Sequence, residues 1–422
     1  MRSLFSLLTT LAVTRNARML LATAVIGVVC GLASAAFLTL LDAATDVRAS
    51  HGQLVWALPL TGLVMGWLWH RYAGPAGQGN NLILHTLQDD ASERIPLRMA
   101  PLVLMGTVVT HLFGGSAGRE GTAVQMGAAL ADQLANRAHV DAQIRKHLLV
   151  AGVAGGFGSV FGTPLAGAIF AVEWMVAGKL QLRFAPVALL AAFVGDAVTE
   201  RMGILHTPFP MVAVNLMNGE LWLALAAFAI AVAMVAVLFI ELTHAIKRGL
   251  GHWVPHAALR PVVGAVAVVA LWQWVGTDLY LGLGVPAIER AFLTPALPLQ
   301  VFALKLLFTS VTVGSGFPGG EVTPLFFIGA ALGSALAPLL GLPPDVAAGV
   351  GLVALFGAAA NTPLALSVMA VELMGWHMAL PSLLVGVLAT QLKGRRSIYA
   401  GQPMARAKRG AHEYRATPQT HE

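Results

Sequence analysis

Charge is what this sequence has least of. Only 11% of its 422 residues are Asp, Glu, Lys or Arg, against about a quarter in soluble globular proteins. At the same time 57% are hydrophobic and the mean hydropathy is +0.74. A water-soluble fold has no means of hiding so much apolar surface, so the chain reads as an all-α integral membrane protein. Cysteine is almost missing as well. Cys30 stands alone, which excludes an intramolecular disulfide, and its place in an apolar run makes it a buried free thiol. There is no His-Glu-x-x-His pair and no phosphate-binding Gly-Lys-Ser/Thr loop, so the zinc-peptidase and nucleotide-hydrolase classes are disfavoured. The 13 histidines are scattered; no metal or cofactor is expected, and His111 reads as a core hydrogen-bonding residue.

The net positive charge is concentrated at the two ends. The formal excess of +6 gathers in Arg2, Arg15 and Arg18 before the first apolar run and in Lys393, Arg395, Arg396, Arg406, Lys408 and Arg409 after the last. By the positive-inside rule both termini are expected to be cytoplasmic, and no nucleic-acid partner is needed to explain the basicity. Runs long enough to span the bilayer lie at about 19–41, 54–70, 219–242 and 262–275. The first begins like a signal peptide and includes Ala33-Ser34-Ala35, but it continues past a normal apolar core and reads as an uncleaved helix. Shorter apolar stretches are interrupted by some of the 45 glycines and 22 prolines. Small residues let helices approach closely in lipid, and interruptions mark broken or re-entrant helices.

One interruption stands out. Gly114-Gly115-Ser116-Ala117-Gly118-Arg119-Glu120-Gly121-Thr122 places a charged pair and several glycines at membrane depth, followed by an apolar helix expected over Ala123 to Leu134. Irregular backbone there must be satisfied by protein or line a cavity, and the free N–H groups of the following helix attract anions. The segment therefore reads as an ion site. The chain also repeats itself. Gly127-Ala128-Ala129-Leu130 returns as Gly329-Ala330-Ala331-Leu332, displaced by 202 residues. Thr163-Pro164-Leu165-Ala166 returns as Thr362-Pro363-Leu364-Ala365, and Ala171-Val172-Glu173 as Ala370-Val371-Glu372, both displaced by 199. An odd number of crossings in each half inverts the halves and leaves both termini on one side, with the site at midplane.

Gly118-Arg119-Glu120-Gly121-Thr122, Gly319-Gly320-Glu321-Val322-Thr323-Pro324, the two Thr-Pro helices and the late Tyr399 together resemble the CLC family of anion channels and proton-coupled antiporters. The resemblance implies an inverted-repeat bundle of tilted and broken transmembrane helices, a homodimer, and one anion pathway per subunit. The expected organisation is a cytoplasmic segment 1–18, a first membrane repeat 19–205, a second 206–400, and a basic, disordered tail 401–422. It further implies that Glu120 is the gating and proton-coupling glutamate. Its carboxylate would mimic the anion when charged and vacate the site when neutral. Salt-bridging to Arg119 is the alternative role, disfavoured because neighbours on a helix do not face one another. The anion-binding set implied is Gly118, Arg119, Gly121, Thr122, Gln78, Asn80, Asn81, Val322, Thr323 and Tyr399.

Departures from the chloride pattern point to which anion. The first-half Gly-Ser-Gly-Ile-Pro filter of chloride-handling relatives is missing, and Gly77-Gln78-Gly79-Asn80-Asn81 stands in its place. Thr122 occupies a usual proline position, and Trp174 stands where many chloride/proton exchangers carry an internal glutamate. These features are similar to the bacterial branch that exports fluoride against protons across the inner membrane. A chloride/proton antiporter or a passive chloride channel remains the alternative. Asn80 and Asn81 could also simply cap a helix over Leu82 to Leu87. Gly314-Ser315-Gly316-Phe317-Pro318 copies the serine motif but adjoins Gly319-Gly320, so it belongs to the second-half break. Glu173 and Glu372 are expected to bind backbone N–H groups at the Thr-Pro repeats.

Overall fold

A computed structural model describes residues 15–88, 94–293 and 297–405. Within them the chain forms α1 (Arg15–Ser50), α2 (Leu58–Leu68), α3 (Asn80–Gln88), α4 (Met99–Leu112), α5 (Glu120–Arg137), α6 (Ala142–Phe161), α7 (Pro164–Trp174) and α8 (Ala185–Arg201). These are followed by α9 (Gly219–Trp253), α10 (Arg260–Val275), α11 (Val285–Leu293), α12 (Gln300–Gly314), α13 (Val322–Leu340), α14 (Pro344–Ala360), α15 (Pro363–Met374) and α16 (Ala379–Leu392). Extended pairing among the described residues is confined to two isolated bridges. Residues 1–14 and 406–422, which include most of the expected terminal segments, lie outside the described residues, and Arg15 to Arg18 already belong to α1.

Two of the long apolar runs become helices that outlast the bilayer. With 36 and 35 residues, α1 and α9 measure about 54 and 52 Å at 1.5 Å per residue. A hydrocarbon core of about 30 Å obliges such helices to tilt or to extend beyond it. The run 262–275 falls within α10 as expected. The run 54–70 does not form one span. It is divided into a 3-10 turn at Gly52–Ala57, the short α2, and a π turn at Trp69–Ala73 that ends where Gly74 takes φ +52° and Pro75 follows. A proline cannot donate the next ladder hydrogen bond, so the helix stops there.

The repeat is visible as matched helices: α4 to α8 in the first half correspond to α12 to α16 in the second. The helices α6 and α14 are buried on every side along most of their length. Each packs backbone to backbone on its predecessor. A methyl group on Gly127 of α5 would lie 2.1 Å from the Gly152 carbonyl oxygen, and one on Gly329 of α13 would lie 2.0 Å from that of Gly351. Only glycine permits this approach. The change of displacement from 202 to 199 has a local cause: α6 has 20 residues and α14 has 17, and the missing near-turn lies at the start of α14.

Two glutamates show that the halves run in opposite directions. Glu173, near the end of α7, accepts from the first N–H groups of α15, Leu364 N at 3.1 Å and Ala365 N at 2.7 Å. Glu372, near the end of α15, accepts from the first N–H groups of α7, Leu165 N and Ala166 N, both at 2.8 Å. The exchange is reciprocal, so the two helices are antiparallel and related by a local two-fold. Each carboxylate satisfies helix N-terminal donors that would otherwise be orphaned in an apolar interior. Replacing Glu173 or Glu372 by Ala leaves two such N–H groups unpaired, at about 1–3 kcal/mol each. Thermal unfolding in detergent should show both variants destabilised, Glu173→Ala more so because Glu173 is the more deeply buried. Unchanged transitions in both would rule out the capping role.

Candidate ion site

The glycine-rich break between α4 and α5 is held from all sides. Gly115 N donates to Thr110 O at 2.8 Å. Ser116 N donates to Thr312 Oγ1, and the Ser116 hydroxyl pairs with that of Thr309 at 2.9 Å. The buried His111 ring lies between the Thr107 and Ala117 carbonyls, its Nδ1 2.7 Å from the first and its Nε2 3.0 Å from the second, and donates to one of them. Gly114 to Gly118 also spells Gly-x-Ser-x-Gly, but Ser116 is buried on α12 and no strand leads into it, so it is not a nucleophile elbow. At the end of the break Gly118 N donates to Gly320 O at 2.6 Å and Gly320 N to Gly118 O at 2.8 Å. These two glycines are 202 residues apart, as the repeat requires. Their pairing brings the N-termini of α5 and α13 together.

Glu120 sits at that junction with no exposed surface. Its Oε2 accepts from Arg119 N at 3.1 Å and Thr323 N at 3.2 Å, and its Oε1 accepts from the Thr323 hydroxyl. The carboxylate thus takes donors from both halves, at the positive ends of two helices. The disfavoured salt bridge is present as well, with Arg119 Nε 3.6 Å from Oε1. The rule that helical neighbours diverge does not apply, because Arg119 precedes the helix as its N-cap residue, at φ −112°. Val322 stands where the repeat would place a second Glu120, and it carries no charge.

Beside the carboxylate is a narrow cavity, too tight in this conformation to hold a water molecule. Its walls are mostly apolar, from Val124, Phe157, Phe170, Trp174 and Val322, with Gly121, Asn80 and Tyr399 completing them. The Tyr399 ring packs edge-on against Trp174, with centroids 5.4 Å apart. Asn80 Oδ1 is buried without a hydrogen-bond partner among the described residues. An amide can turn either end toward a ligand, so Asn80 offers the cavity a donor.

Of the residues singled out from sequence, Glu120, Gly121, Val322, Asn80 and Tyr399 line this cavity, while Gly118, Arg119 and Thr323 frame the carboxylate. The other three lie elsewhere. Gln78 is exposed at the end of a 3-10 turn. The Thr122 hydroxyl is bound to that of Thr107 at 2.6 Å and ties α5 to α4. Asn81 Oδ1 accepts from Gly401 N at 2.9 Å. The two asparagines do not cap α3 either, since one side-chain oxygen is committed to Gly401 and the other is unpartnered. Ser315 donates to Thr312 O at 2.9 Å and closes α12, which is its expected place in the second-half break.

Sequence reading missed what holds Tyr399 in place. Gln402 donates to Trp174 O and Ala360 O, both at 3.0 Å, and so spans the two halves. Its Oε1 accepts from Ser397 Oγ and Asn361 Nδ2. The buried Lys393 binds Asn361 Oδ1 and Arg396 O, both at 2.6 Å. No motif announces Gln402. Lys305 was more legible, as a lysine inside an apolar run. It is fully buried, donates to Tyr280 O and Gly282 O, and lies with Arg48 and His111 around Gly282.

Comparison with known proteins agrees with this architecture. Residues 61–394 match the family model described as voltage gated chloride channel. The chain is 42% identical to a chloride/fluoride channel protein of Pseudomonas syringae pv. tomato, over 91% of this chain and 86% of that one. It is 26% identical to the H(+)/Cl(-) exchange transporter ClcA of Yersinia pestis, covering 94% and 89% of the two chains. Among solved structures, a CLC-type fluoride/proton antiporter superposes with a TM-score of 0.89 at 34% identity, covering 93% of this chain and all of that one. A slow cyanobacterial Cl-/H+ antiporter superposes at 0.78 with 19% identity over 90% of this chain and 96% of that one, a likeness of fold.

Gln402→Leu keeps the volume but strips four hydrogen bonds from a buried network. It should cost several kcal/mol, at about 1 kcal/mol or more per bond, and free the segment carrying Tyr399. Limited proteolysis after Lys393 and Arg396 reports this directly. Cleavage no faster than in the parent would show that the network does not hold the segment.

Proposed function

Because the chain belongs to the voltage gated chloride channel family, the CLC proteins, we propose that this multi-pass membrane anion transporter exports fluoride in exchange for protons. The observation that carries the reading is the Glu120 carboxylate, buried at the junction of two helix N-termini and bonded to Arg119 N, Thr323 N and the Thr323 hydroxyl. A carboxylate in that cradle is itself a bound anion. Protonation removes its charge and with it most of the attraction of the helix ends, so a free anion can displace it. The neutral side chain then carries the proton out of the cradle, and the Thr323 hydroxyl and the two backbone N–H groups pass to the incoming ion. Exchange follows because carboxylate and anion compete for the same donors. Glu120 performs both tasks, with Trp174 rather than an acid on the cavity wall.

Fluoride is favoured by the chemistry of the donors. A small, strongly hydrated ion must trade its water for compact hydroxyl and amide donors, and Thr323, Asn80 and Tyr399 bring such groups to a narrow, aromatic-walled space. The similarity to a chloride/fluoride channel protein and to a fluoride/proton antiporter supports the same ion. The reading includes a homodimer in a bacterial inner membrane, with both termini cytoplasmic. Gly118, Arg119, Gly121 and Val322 shape the cradle. Thr122 and Asn81 act at a distance, through their bonds to Thr107 and Gly401.

Liposomes loaded with fluoride or chloride, with external pH followed during efflux, test the proposal. Fluoride efflux coupled to proton uptake, with little chloride efflux, is expected. Chloride efflux of similar speed would replace it with the chloride reading, and a flat pH trace would indicate a channel. Glu120→Gln should abolish proton movement, and proton pumping at the parent rate would remove Glu120 from its role. Thr323→Ala removes a hydrogen bond to a charged group, about 1.5–3 kcal/mol, and should weaken apparent fluoride affinity by about 10- to 100-fold, an effect larger than its loss of folding stability.

A further inference from the structure

A second cavity, about 720 Å³ in volume, opens on the outer face of the bundle between α2 and α4. Its walls are carbon along nearly their whole length, including Leu60 and Val64 on one side and Leu102 and Met105 on the other. Leu60, Val64 and Met105 are among the most exposed apolar side chains of these helices, at 65, 49 and 54%. In a membrane-spanning chain such a face meets lipid rather than water. The groove is nevertheless not uniform. One end carries Trp69, Tyr72 and Arg98, where α2 finishes and α4 begins. The Arg71 guanidinium lies 5.5 Å from the Tyr72 ring centroid, and that of Arg98 reaches over Gly74.

A long apolar trough with two arginines and two aromatic rings at one end has the polarity of a phospholipid: acyl chain along the trough, phosphate at the guanidinium end. Arginine recognises phosphate through its fork of donors, and amphipathic rings favour the headgroup level. The groove floor also touches the ion site. A methyl group on Gly106 would lie 2.7 Å from both Trp69 and Pro318. Pro318 adjoins Gly319-Gly320, and Gly320 is paired with Gly118. The next residue on α4, Thr107, holds Thr122 by its hydroxyl. Thus α4 lies between the groove and the helix that begins with Glu120.

We propose that this groove binds an anionic phospholipid, its acyl chain against α2 and α4 and its phosphate between Arg71 and Arg98, and that the bound lipid steadies α4 and raises the transport rate. The binding half of the proposal stands apart from the ion selectivity argued above. Native mass spectrometry of the purified full chain, delipidated and then titrated with phosphatidylglycerol or phosphatidylcholine, is the first test. Retention of phosphatidylglycerol at least tenfold stronger than of phosphatidylcholine is expected. Arg71→Gln with Arg98→Gln should erase the preference, and Met105→Trp should reduce retention of both lipids by filling the trough. Equal retention of the two lipids by the parent, or a preference unaltered in the double variant, overturns the proposal. Should Met105→Trp instead turn dimers into monomers without altering lipid retention, the groove is a contact between copies and the proposal fails. Anion efflux from vesicles with and without phosphatidylglycerol then tests the second half. The parent should run several-fold faster with the anionic lipid and the double variant equally in both, whereas a parent insensitive to the lipid overturns regulation while leaving binding intact.

Discussion

The rest of this structure depends on one pair of hydrogen bonds, those exchanged between Gly118 and Gly320. Two stretches of irregular backbone at membrane depth have no water to turn to, so each must find donors and acceptors in protein. Here each break satisfies the other. That pairing fixes the distance between the starts of α5 and α13 and turns two sets of unpaired helix N–H groups toward a common point. A negative group becomes welcome there in surroundings that otherwise penalise charge by about 2.5–3.5 kcal/mol on insertion scales.

Three glutamates use the same physics with different results. Glu173 and Glu372 each sit on the first N–H groups of a helix from the opposite half, and Glu120 sits on Thr323 of the opposite half. The first two clamp α7 and α15 together. Glu120 instead borders a narrow space shared with Asn80 and Tyr399, and one of its donors is a side-chain hydroxyl that can rotate to another acceptor. On the function proposed above, the difference between a structural carboxylate and a movable one lies in a donor that can let go.

Much of this could be read from the amino acids, because it depends on local chemistry. Helices follow from apolar runs, and the order of the repeat follows from Gly127 and Gly329, where a side chain would collide with backbone, and from the Thr163-Pro164 and Thr362-Pro363 pairs that open α7 and α15. Glu120 and Thr323 were legible because few reasons place a carboxylate and a hydroxyl beside glycines at such depth. What escaped was long-range geometry. Asn81 and Thr122 have suitable groups at suitable positions, but their partners, Gly401 and Thr107, come from other segments. Gln402 lies in a polar stretch where a glutamine carries no signal, and its importance arises only when Trp174 and Ala360 meet it. The change from α2 to a π turn at Trp69–Ala73 was hidden because both are helical and the stop itself comes only at Gly74 and Pro75.

The repeat is also unequal at its centre. Val322 fills the place that the two-fold assigns to a second Glu120, and α14 begins nearly one turn later than α6. A fully symmetric molecule would present identical thresholds to both faces of the membrane. With Glu120 on one arm and Val322 in its place on the other, the doubled chain is chemically lopsided at its centre. On the function proposed above, an ion arriving from one side meets a different first obstacle from an ion arriving from the other, so two ends built on one plan need not behave alike.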